Sequence, residues 1–103
     1  MPSEKLKRSE NSRLEAATAL AISALAWLAG DEARLERFLG LSGLGPHNLR
    51  QAAADPRFLA SVLDHFTGHE PTLVEFARES GVRPEDVAAA SALLSASGGR
   101  ERP

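Results

Sequence analysis

Glycine and proline fall in this chain at positions that only helix ends explain. Gly30, Gly43, Gly68 and Gly81 each follow an apolar stretch of helical length, and Pro46, Pro56, Pro71 and Pro84 each stand where the next stretch opens. Glycine is favoured just past the last helical turn, and proline in the first turn, where its missing N–H costs nothing. The punctuation also repeats. A shift of 38 residues lays 20–57 over 58–95 without a gap. Ser23 meets Ser61, Gly30 meets Gly68, Leu35 meets Leu73, Phe38 meets Phe76, Gly43 meets Gly81 and Pro46 meets Pro84. Two copies are fewer than an open solenoid needs, so the spacing predicts a closed pair of three-helix units about a pseudo-twofold axis.

The apolar residues between these marks have helical spacing. Helix one is expected from Arg13 to Ala29, with Leu14, Ala17, Ala21, Leu25 and Leu28 near one face. From Ala19 to Ala29 only Ser23 is polar, which predicts a helix surrounded by protein on all sides. Gly30 is expected to end it in the left-handed conformation. Helix two spans 33–42, with Leu35, Phe38 and Leu39 inward and Leu41 beside them. Leu44 is placed to fold back after Gly43, and Pro46 opens a short third helix. Asp55-Pro56 is a cap followed by proline, opening helix four with Phe58, Leu59, Val62, Leu63 and Phe66 inward. Helix five carries Leu73, Val74, Phe76 and Ala77; helix six carries Val87, Ala90, Ala92, Leu93 and Leu94. No stretch alternates long enough to read as a strand. The fold class is all-α: a compact bundle of five to six short helices, with a radius of gyration of about 13 Å for one domain of this length. Residues 13–97 form that domain, between polar tails at 1–12 and 98–103 that are expected to be disordered.

Specific strings accompany this pattern. They are Ala26-Trp27-Leu28, Arg37-Phe38-Leu39, Ser42-Gly43-Leu44, Asp55-Pro56-x-Phe58-Leu59 and Gly81-Val82-x-Pro84-Glu85. In these, over about residues 16–94, the chain resembles the family called domain of unknown function 3572, found mainly in alphaproteobacteria. The resemblance implies a small helical cytoplasmic protein of bacteria. It brings no activity, cofactor or catalytic residue with it.

Charge narrows the function. The formal net charge is −2, but residues 14–97 hold eleven acids against six bases, all six arginine, while Lys5, Lys7, Arg8 and Arg13 crowd the start. Nucleic-acid binders gain affinity by releasing counterions from phosphate, and an acidic domain opposes that. The chain has no cysteine, which excludes disulfides, thiolate metal sites and cysteine nucleophiles. No apolar run approaches the length of a membrane span. The leader has no apolar segment directly after its charges, so a cytoplasmic location is expected.

Five features were weighed for chemistry. The stretch 73–90 has the spacing of a helix-turn-helix, with Ala77, Gly81, Val82 and Val87 at its characteristic positions. Its recognition helix would begin Arg83-Pro84-Glu85-Asp86, which offers little to read base edges. His65 and His69 are four apart, the spacing of a metal-binding pair, but Gly68 ends the helix between them and no third ligand is evident. Gly40, Gly43 and Gly45 follow no strand, so they mark a helix end, not a phosphate loop. No carboxylate lies on an apolar helix face where burial would tune it for catalysis. No cofactor and no enzymatic activity is expected. Trp27, with His65 at the equivalent position of the second copy, remains as a protein-contact candidate, since tryptophan is enriched at interface hot spots. The expected function is a non-enzymatic protein-interaction module or adaptor with a protein partner or itself as ligand; the alternative is a helix-turn-helix transcriptional regulator.

Overall fold

The computed structural model describes the backbone of residues 2–43 and 45–100, and side chains within 12–97 apart from 42, 44 and 46. Among these residues the chain is all-α, with no strand. The helices are α1 (Pro2–Ala29), α2 (Glu32–Ser42), α3 (Leu49–Ala52), α4 (Pro56–Thr67), α5 (Glu70–Ser80) and α6 (Pro84–Arg100), and a 3₁₀ turn at Pro46–Asn48 leads into α3.

Local chemistry sets these bounds. Asp31 precedes α2 in extended conformation, and its carboxylate accepts the Arg34 N–H at 3.1 Å. Asp55 does the same for α4, accepting the Arg57 N–H at 2.9 Å ahead of Pro56. Such caps satisfy N–H groups that have no partner inside the helix. Gly43 and Gly81 end α2 and α5 with φ of 76° and 72°, the left-handed region that side chains disfavour. Each donates its N–H four residues back, to the carbonyls of Leu39 and Ala77. Gly30 and Gly68 end their helices without positive φ, so the left-handed ending expected at Gly30 is not the one used. The fold-back expected of Leu44 lies outside the described residues.

Two helices are longer than expected. The backbone of α1 is helical from Pro2, not from residue 13, and α6 continues to Arg100. The stretch SEKLKRSE is made of residues that lose little rotamer freedom in a helix, behind a proline suited to the first turn. A helix of 28 residues is about 42 Å long, which accounts for most of the 49 Å long axis and for a radius of gyration of 14.2 Å.

The core lies where α1, α4 and α6 meet, with α2 laid on α1 and α5 on α4. On α1 the buried residues are Ala17, Ala21, Ala24 and Leu28, spaced four, three and four apart. This is the seam of closely packed helices, and alanine lets the backbones approach. Leu59, Val62, Leu63 and Phe66 face it from α4, and Val87, Ala90 and Leu94 from α6. Phe38 and Phe76 enter from α2 and α5. Ser91, the one buried polar side chain among the described residues, donates its hydroxyl to Asp64 Oδ1 at 2.6 Å, tying α6 to α4.

Helix α1 is not enclosed on all sides. Only one stripe of it is buried, and Ile22 is 47% exposed on the opposite face beside Ala19 and Ala26. The short helices leave too little protein to wrap a second face. Leu41 is 75% exposed and Val74 40%, so neither of these joins the core.

Candidate protein-contact surface

Trp27 sits half-buried near the end of α1, among rings and charges from three other helices. Phe66 lies 5.7 Å from it and Phe76 5.5 Å, the latter edge-on. The Arg34 guanidinium covers the ring at 4.0 Å, and the indole N–H donates to Glu79 at 2.8 Å. Arg34 is held in turn by Glu75 at 2.6 Å. A cation over an indole face is attracted by the ring quadrupole, and the buried edge of the indole gains area at the same time. These groups fasten α2 and α5 over the end of α1. Most of the indole's contacts are therefore spent inside the molecule.

His65 is half-buried on α4, with Phe38 5.3 Å away edge-on and Phe66 at 5.9 Å. Burial pushes the imidazole below its ordinary pKa, and the charges of His69 and Arg37 push it the same way. His69 faces Thr72, with Nδ1 2.6 Å from the hydroxyl at the start of α5. Among the described residues no three His, Asp or Glu side chains are placed to share a metal ion. Trp27 and His65 thus belong to one ring cluster but present no joint exposed patch. Their contacts are reciprocal: position 27 touches 76 as position 65 touches 38. A twofold exchange of the stretches 20–57 and 58–95 generates that relation.

The surface with room for a partner lies elsewhere, in a groove of about 840 Å³ between α1 and α6. Ala16 and Leu20 form one wall, and Ala89, Leu93 and Ala96 the other, with Val82 also contributing. Arg13 stands on the α1 wall and Asp86 on the α6 wall. No residue of α4 lines the groove, so it occupies the flank of the α1–α6 pair that α4 leaves open. On α6 the lining residues 82, 86, 89, 93 and 96 recur at intervals of four and three. That is the spacing with which a helix meets another helix. Sequence reasoning missed this groove, although its signal was present. The apolar residues on more than one face of α1 and α6 were taken to imply enclosure, and they leave an uncovered flank instead.

The start of α6 bears on nucleic-acid contact. Glu85 and Asp86 are exposed there, and Asp86 draws on Arg83 at 3.4 Å, raising the guanidinium above its ordinary pKa. No single helix among the described residues is long and apolar enough to cross a membrane.

A known family matches these residues. The family described as "Protein of unknown function (DUF3572)" covers residues 14–97, which includes both walls of the groove and the whole ring cluster. The chain belongs to this family. No curated protein and no solved structure matches it. Within this DUF3572 protein the match ends at residue 97, inside α6 and just beyond Ala96, the last groove residue.

Proposed function

We propose that this DUF3572 protein is a non-enzymatic interaction module of the bacterial cytoplasm that receives a protein partner in the groove between α1 and α6. The observation that carries this reading is the groove itself: an apolar trough with helix-packing periodicity and a single charge on each wall. Helices that lay apolar faces into such grooves are a common mode of protein recognition. Trp27 and His65 act in this reading as internal fasteners that hold α2 and α5 on the bundle, and the contact itself falls to Leu20 and Leu93.

A helix-turn-helix regulator would set the start of α6 against phosphate. The exposed Glu85 and Asp86 would repel phosphate there, and Asp86 already engages Arg83. A duplicated unit also belongs to this reading. It is supported by α5 having the bounds of α2 moved by 38 residues, and by the reciprocal ring contacts.

The test is capture from native bacterial lysate on immobilised wild type and on Leu20→Glu/Leu93→Glu. The expected result is a stoichiometric band on the wild type that the variant loses while keeping its helicity. Equal capture on both, or none on either from dilute bait, overturns the reading.

A further inference from the structure

The groove leaves open which protein fills it, and its charges answer that. Arg13 stands on the α1 wall and makes no ion pair among the described residues. Asp86 stands on the α6 wall, and its only ion pair there is the 3.4 Å one with the exposed Arg83. A surface with one cation on one wall and one anion on the other complements itself under a twofold rotation. In an isologous pair, residue i of one copy meets j of the other, and j meets i.

We propose that the occupant of the α1/α6 groove is a second copy of this chain, with the two grooves closed on each other and Arg13 of each copy facing Asp86 of the other. This inference rests on the reading of the groove as the contact face. Closure would bury Leu20 and Leu93 of both copies in a seam of four helices, α1 and α6 from each. Alanine at 16, 89 and 96 lets the helices approach as closely as α1, α4 and α6 already do. The interval of four and three along α6 suits the shallow crossing of a four-helix bundle. The molecule is only 19 Å across its thinnest direction, about two helix diameters, so the α1–α6 pair has no further layer of its own chain to cover it.

Sedimentation equilibrium of the full chain tests this, with Arg13→Glu, Asp86→Arg, the double reversal and Leu93→Glu alongside. The expected wild type is a dimer at concentrations on the order of 100 µM. Either reversal alone weakens it at least about tenfold, and the two together restore it to within about threefold, because the pair is remade with opposite sign. Leu93→Glu is monomeric, with unchanged circular dichroism and unchanged Trp27 emission. A wild type that stays monomeric overturns the second copy as occupant, and the lysate capture then decides separately whether the groove binds another protein. A dimer indifferent to all four variants also overturns it. So does a double reversal as weak as the singles.

Discussion

Trp27 and His65 stand 38 residues apart at equivalent places and do different work. Trp27 gathers two phenylalanines, a guanidinium and a carboxylate. His65 has only rings for close partners and lies near the positive charges of His69 and Arg37. Its folded form therefore disfavours the proton. The unfolded chain binds the proton more readily, so stability rises with pH across the interval between the lowered folded pKa and the unfolded value of roughly 6.5. His65's contribution is intact above that interval and is lost as pH falls through it. His65→Phe keeps a ring against Phe38 and removes the titration. The urea midpoint, followed by Trp27 fluorescence, is expected to fall further between about pH 8 and about pH 5 in wild type than in this variant. Equal falls would show that the histidine ring is not desolvated at the seam.

At the scale of elements, the ends of the helices were legible in the sequence and the faces were not. Gly43 and Gly81 both adopt the left-handed turn that their place in the repeat predicts. Asp55 caps α4 as its pairing with Pro56 predicts. Ends are fixed by local backbone chemistry, which a short string carries. Which face of α1 is covered depends on how many helices the remaining chain can supply, and no local pattern states that. Ala24 and Ala19 look alike in the sequence, yet Ala24 is fully buried against the bundle and Ala19 is exposed. Ala24→Leu should therefore cost about 1–3 kcal/mol by overpacking a close helix contact. Ala19→Leu should shift stability by less than about 0.5 kcal/mol, as surface changes usually do. Thermal melts of the two variants check this, and similar losses in both would mean that α1 is covered on both faces. The polar start of α1 shows the converse limit. It was expected to be a tail because it lacks an apolar period, but its residues favour helix without one.

At the scale of the molecule, three helices meet in a core, two lie over them, and one long flank stays open. The bounds of α2 and α5 coincide under the 38-residue shift, but the third elements do not. In the first stretch, a 3₁₀ turn and four residues of α3 stand where the second has the 17 residues of α6. The short α3 does not pack along α4 as α6 packs along α1. That inequality gives the groove its place, since α6 runs beside α1 with no long counterpart to cover their far side. Candidate residues picked by type alone, Trp27 and His65, fall within the ring cluster. The groove is made of alanines and leucines that no motif distinguishes.

The most direct test of this placement follows backbone amide shifts of labelled protein from about 20 µM to about 1 mM, a range that spans weak to moderate association. Shifts that move with concentration only along Arg13–Leu20 and Val82–Ala96 are the predicted result. Shifts centred on α2 and α5, or none anywhere, contradict it.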